Sequence, residues 1–178
     1  MDFPKLETER LILDAPKEAD LENIAKILNN EVYSKNTINI PFPYIIDSAK
    51  FWLSLSENGF KNENQYIFAI RLKDSQKIIG GIDLGIDKNF NKAELGYWLD
   101  ENFWNQGFAT EAVIKIIDFG FKHLKLKRIF ATHFDFNPAS GKVLEKSGMK
   151  KEGEMKAHTR KGNIYHNHIL YAIVNENL

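Results

Sequence analysis

The stretch Phe103-Trp-Asn-Gln-Gly-Phe-Ala-Thr-Glu-Ala-Val113 decides the fold. Upstream, Lys92–Asp100 (KAELGYWLD) is rich in β-formers and reads as a strand. Downstream, Ala109–Leu124 places Ala112, Val113, Ile116, Ile117, Gly120 and Leu124 at helical spacing, the stripe of a helix with one buried face. Gly107 therefore sits at a strand–turn–helix junction. The first N–H groups of a helix have no internal partner and lie at the positive end of its dipole. A glycine beside them allows an anion close to the backbone, so the junction suits a phosphate or pyrophosphate. A single glycine serves a plain turn equally well. It is neither a dinucleotide fingerprint nor a Gly-Lys-Ser/Thr phosphate loop.

Outward from this junction the order is mixed. Arg10–Pro16 reads as a strand, Glu18–Asn30 as a helix, and the Pro-rich stretch INIPFPYI as a loop. A second helix is expected from an Asp47 N-cap to a Gly59 C-cap. Gln65–Leu72 and Lys77–Asp87 read as a hairpin. After the central helix come the strand Lys127–Phe136, a short helix opened by Asn137 and closed by Gly148, and a final hairpin. The expectation is a mixed α/β chain with one mostly antiparallel sheet of about seven strands, about four helices and a central parallel β-α-β crossover. No repeat or linker interrupts residues 1–178, which read as a single domain.

Composition narrows the function. Lysine plus arginine and aspartate plus glutamate both count 24, a balance that argues against a nucleic-acid partner. The absence of cysteine excludes disulfides, thiolate metal sites and a cysteine nucleophile. No apolar stretch is long enough to span a membrane, and the amino terminus has no leader pattern, so a cytoplasmic location is expected. His166 and His168 alternate on one strand without an evident third ligand and read as surface imidazoles, and no metal is expected. The three tryptophans, Trp52, Trp98 and Trp104, read mainly as core.

Trp104-Asn-Gln-Gly-Phe-Ala109 resembles motif A of the GNAT superfamily of acyl-CoA-dependent N-acetyltransferases, Gln/Arg-x-x-Gly-x-Gly/Ala, with tryptophan replacing the first Gln/Arg. The tail GFATEA, the opening LETERLIL, the segment IPFPYIIDSAKFWL, the helix NPASGKVLEKSGM and the closing YHNHILYAI resemble the ribosomal-protein-alanine acetyltransferase branch, in order along nearly the whole chain. Asp14 stands where that branch usually has arginine.

The resemblance implies a GNAT fold and acetyl transfer from acetyl-CoA, as co-substrate, to a primary amine by direct attack in a ternary complex. Carried over residue by residue, the pyrophosphate would lie on the N–H groups of Gln106, Gly107, Phe108, Ala109 and Thr110. Backbone around Trp98 and Leu99 would hold the thioester in a split between parallel strands. Asn137 would lie beside the CoA arm, Ser140 would protonate the leaving thiolate, with Tyr171 a weaker alternative, and Glu94 would act as general base, with Asp100 and Glu101 behind it. Phe42 and Tyr44 would line the acceptor pocket. A base matters because an α-amine is only about one-tenth neutral at pH 7, and a lysine amine about 0.04%. A protein or peptide N-terminus is the expected acceptor; a small amine, or a CoA-binding module without turnover, is the alternative. A monomer or homodimer is expected.

Overall fold

The computed structural model describes residues 2–178. One eight-stranded sheet runs β1 (Leu6–Glu7), β2 (Leu11–Asp14), β3 (Gln65–Leu72), β4 (Ile78–Asp87), β5 (Lys92–Leu99), β6 (Arg128–Phe134), β8 (Ile164–Val174), β7 (Lys150–Lys161) across its width. Every neighbouring pair is antiparallel except β5–β6, where α4 (Phe108–Lys122) makes the crossover. The other helices are α1 (Leu21–Leu28), α2 (Glu31–Asn36), α3 (Ile46–Lys61) and α5 (Pro138–Lys146).

Strand alternation sorts the core into two layers. Ala93, Leu95 and Leu99 of β5 point to the face covered by α4, against Ala112, Val113, Ile116 and Ile117. Trp98 points to the opposite face and packs with Ile24 and Leu28 of α1 and Ala49 of α3. Each fully buried aliphatic side chain on these layers contributes about 1.5–3 kcal/mol. Gly120 lets α4 settle on the sheet, since a Cβ there would lie 2.7 Å from Ile129 Cδ1.

Several local readings differ from the structure. The extra strand is the two-residue β1, paired with β2 through Leu6↔Leu13 and closed by Thr8 and Leu11. The extra helix, α2, is too short for an apolar stripe; Asn30 caps it by accepting from Val32 N–H at 3.1 Å. Asp47 is not the cap of α3. The helix starts at Ile46, so Asp47 lies in its first turn. Gly59 is inside α3 rather than after it, because the helix crosses β3 there and a Cβ would meet Gln65 Cβ at 2.8 Å. The helix expected over Glu18–Asn30 is instead a 3-10 turn, Glu18–Asp20, followed by α1, and Arg71 holds the turn by donating to both Asp20 oxygens at 2.7 Å and through Nε to Asp14 at 2.6 Å.

Candidate active site

The two parallel strands part company halfway. β5 and β6 pair only at Lys92↔Arg128, Ala93↔Ile129 and Glu94↔Phe130. Beyond that point β5 stays on β4 as far as Leu99, and β6 stays on β8 as far as Phe134. The facing edges of Leu95–Leu99 and Ala131–Phe134 thus carry no ladder between them. This leaves a wedge roughly 17 Å deep at about 3.3 Å per residue, with Glu94 at its apex. The Asp100 N–H donates to Ile79 O at 2.7 Å, which sets the alternation along β5. Leu95, Tyr97 and Leu99 accordingly turn their backbone groups into the wedge.

Trp98 does not fit the backbone role expected of it. Its carbonyl oxygen lies on the β4 side, 2.5 Å from where a Cβ on Gly80 would fall, and its indole is buried against Trp52 with ring centroids 5.9 Å apart. The Leu99 carbonyl is also taken, by the Trp104 indole N–H at 2.8 Å and the Tyr33 hydroxyl at 3.2 Å, which leaves the Leu99 N–H for the wedge. Trp104 itself is 41% exposed and is a strut across the turn rather than core.

At the mouth of the wedge stands the Gly107 turn. Gly107 has φ +83°, a left-handed conformation, and Asn105 has φ +59°. The first intrahelical bond runs from Glu111 N–H to Gly107 O at 3.0 Å. Among the described residues, the N–H groups of Gln106, Gly107, Phe108, Ala109 and Thr110 donate to nothing. They form a continuous run of free donors at the positive end of a 15-residue helix. Arg10 pins this turn. Its Nε donates to Glu111 Oε2 at 2.7 Å, its Nη1 to Gln106 O at 3.0 Å, and its Cζ lies 4.1 Å from the Phe108 ring centroid. The free donors and the wedge behind them suit a diphosphate joined to an extended arm.

On the α4 face of the wedge, α5 brings Ser140 to β5. Ser140 Oγ lies 2.8 Å from the Tyr97 hydroxyl. Burial pushes Tyr97 up to about 12 against the opposing effect of Ser140, so it stays protonated at neutral pH. Asn137 precedes α5 without capping it, and its half-buried side chain makes no hydrogen bond among the described residues. The Tyr171 hydroxyl donates to Glu145 at 2.9 Å and is committed there.

The opposite face carries carboxylates. Glu94 is exposed at the apex. Asp83, on β4, pairs with Gly96 and accepts from Gln65 Nε2 at 2.9 Å. Its Oδ1 occupies the space where a side chain at position 96 would begin, 2.9 Å from an ideal Cβ. Burial, against the Gln65 bond and with the Glu94 charge, raises Asp83 from 3.8 to about 6. Asp100 is turned inward and bonds Asn102, while Glu101 accepts from Asn30 at 3.2 Å. Sequence reasoning overlooked Asp83 and Tyr97. The signal for Asp83 was available as an acidic residue in the otherwise apolar, glycine-rich IIGGIDLGID.

The acceptor-side expectations divide. Phe42 is 51% exposed, before a cis peptide bond to Pro43. Tyr44 is turned inward among Ile24, Leu28 and Tyr33, so it is a core residue and not a pocket wall. His168 is also buried, at 2% exposure, because β7 closes the sheet outside β8 and His158 and Phe134 pack on its ring. Burial and the neighbouring imidazoles lower its pKa. Among the described residues no group of three or more His, Asp or Glu side chains is placed to hold a metal ion, and no helix is long and apolar enough to cross a membrane.

Comparison with known proteins agrees with this geometry. The acetyltransferase (GNAT) domain model matches residues 10–150. The uncharacterised N-acetyltransferase p20 of Bacillus licheniformis is 33% identical over 160 residues, 87% of each chain. The ribosomal-protein-serine acetyltransferase of Escherichia coli is 25% identical over 167 residues, 93% of each chain. The solved structure of Mycobacterium smegmatis RimJ in complex with CoA-disulfide superposes with a TM-score of 0.84 at 21% identity, over 98% of this chain and 88% of that one, a likeness of fold. A strand wedge, a helix mouth of free donors and a family match over most of the chain converge: the chain belongs to the GNAT acetyltransferase family and is an acetyl-CoA-dependent N-acetyltransferase.

Proposed function

We propose that the chain acetylates the free α-amine of a protein or peptide amino terminus. The observation that carries the mechanism is the run of five free N–H groups, Gln106 to Thr110, opening directly into the β5–β6 wedge. Those donors hold the pyrophosphate of acetyl-CoA. The arm lies between Leu95–Leu99 and Ala131–Phe134, beside Asn137, bonding to strand edges as an added strand would. The Leu99 N–H is the backbone donor nearest the mouth, and those of Tyr97 and Leu95 lie deeper, placed to receive the charge that develops on the thioester oxygen.

The two faces divide the proton work. Ser140, backed by the protonated Tyr97, stands on the α4 face and hands a proton to the departing sulfur. The amine enters from the opposite face, past the exposed Phe42, where Glu94 supplies negative charge for a cationic amine and a route for its proton. With no cysteine in the chain, transfer is direct and needs no acetyl-cysteine intermediate. A terminal α-amine suits such a site better than lysine, since its pKa near 8 leaves more of it neutral. The ribosomal-protein-serine acetyltransferase relative favours a protein acceptor. A small cationic amine is the second reading, favoured by Asp83 and Glu94 on the acceptor face.

The test is an acceptor screen with acetyl-CoA, following thiol release. Hexapeptides beginning with alanine or serine should be acetylated, and the same peptides with blocked N-termini should not. Faster transfer to a polyamine than to either peptide would establish the second reading instead.

A further inference from the structure

The wedge is flanked at one level by two different proton carriers. Tyr97 and Ser140 meet on the α4 face, and on the other face the very next residue inward, Gly96, lies beneath a carboxylate from the neighbouring strand. A side chain at position 96 would fill that place. Its absence lets Asp83 lean from β4 across β5 toward the wedge, 2.9 Å from the missing Cβ. Gln65 holds one oxygen, Oδ2, from β3. The other, Oδ1, makes no hydrogen bond among the described residues, and the Asp83 residue is only half-buried. Glu94 is the charged group whose field bears on Asp83, and among the described residues no cation offsets it. Glu94 sits at the apex, where β5 and β6 are still paired to Phe130, whereas Asp83 is level with the opened part of the wedge.

We propose that Asp83, reaching over Gly96, is the general base that takes the proton from the incoming amine, with Glu94 drawing the cation in. The assignment rests on the acetyl-transfer function proposed above. Asp83 Oδ1 accepts one proton from the substrate ammonium, and the freed lone pair forms the C–N bond to the thioester carbon. As the C–S bond breaks the sulfur takes a proton from Ser140, and the second proton leaving the nitrogen passes to solvent, from which Ser140 takes back the one it gave. Amide, thiol and one proton passed from Asp83 to solvent balance ammonium and thioester. A carboxyl that titrates near 6 is ionised at pH 7 yet far more basic than an ordinary aspartate, which suits this task.

The experiment uses two variants of the full chain, Asp83→Asn and Gly96→Ala. The second leaves every ionisable group in place and displaces only the carboxylate. Transfer of acetyl from acetyl-CoA to an alanine-started hexapeptide is measured from pH 6 to 9, with acetyl-CoA affinity taken from thermal shift. Both variants should bind acetyl-CoA as the parent does and transfer at least tenfold more slowly at pH 7. The deficit should shrink toward pH 9, where the α-amine, with pKa near 8, sheds its own proton. An undiminished rate, or a deficit that stays flat with pH, overturns the assignment to Asp83 and leaves acetyl transfer standing. A parent enzyme that binds acetyl-CoA but transfers to neither peptides nor a polyamine overturns the acetyl-transfer reading and the assignment with it.

Discussion

Replacing Asp83 with asparagine should stabilise the protein at pH 8 and do little at pH 4. Asp83 has a folded-state pKa of about 6 against an ordinary 3.8, chiefly through burial, with Glu94 adding to it and Gln65 opposing. Between those values the folded chain holds a proton that the unfolded chain has lost. Stability is therefore greatest below the unfolded value and declines as pH rises through the folded one, the reverse of an ion-paired aspartate. A shift of roughly two units amounts to about 3 kcal/mol, all of it present as a penalty above pH 6–7. Asparagine cannot ionise, and its carbonyl oxygen can still accept from Gln65, so the variant escapes the penalty and keeps the bond. For a chain of this size 1 kcal/mol moves Tm by about 2–4 °C, which predicts a gain of roughly 6–12 °C at pH 8. Scanning calorimetry of both proteins from pH 4 to 8.5 measures it. Glu94→Gln should make the parent's decline end at lower pH and shrink it, by removing a like charge that raises the folded-state value. A Tm difference that does not vary with pH, or a parent more stable than the variant at pH 8, would refute the reasoning.

Gly107→Val forces a β-branched residue into the left-handed region at φ +83°, with a new Cβ 3.4 Å from Arg10 Nη2. A Tm loss of a few degrees, from about 1–2 kcal/mol of strain, should accompany at least a tenfold weaker acetyl-CoA affinity by titration calorimetry. Arg71→Ala strands Asp14 and Asp20 without their partner inside the protein and should cost about 3–5 kcal/mol in urea unfolding, while Lys73→Ala, at an exposed pair with Glu7, should cost under about 1 kcal/mol. Ser140→Ala should lower kcat about tenfold or more with acetyl-CoA affinity unchanged, and Tyr97→Phe, which keeps the ring and removes the backing hydroxyl, should lower it less; steady-state kinetics with the alanine-started hexapeptide separates the two.

Much of the frame was legible locally. The strand–glycine–helix junction at Lys92–Leu124, the Asn137 and Gly148 limits of α5 and the last hairpin all arise from residues close in sequence, and each appears where its signal stands. The misjudged limits have tertiary causes. The helix read from Glu18 opens as a separate turn, Glu18–Asp20, where Arg71 from another strand holds the Asp20 carboxylate. Gly59 looks like a stop signal but is small because β3 passes beneath it. His168 looks like a surface imidazole but lies on an inner strand, since β8 inserts between β6 and β7 against chain order.

By itself the sequence determined the element order, the turn with free donors and the family pattern, because backbone φ preferences, helix periodicity and capping act over a few residues. Only the tertiary structure decided which groups share the wedge. Tyr97 meets Ser140 because α5, packed on β6 and β8, holds Ser140 against the β5 edge, Asp83 overhangs Gly96 because β4 pairs with β5 in that register, and Trp98 turns its carbonyl to β4 for the same reason. Side chains alternate with a period of two along a strand, so a slip of one residue would carry each of them to the wrong face. Register is set by the whole sheet and its two packed layers, and no short stretch of the chain encodes it.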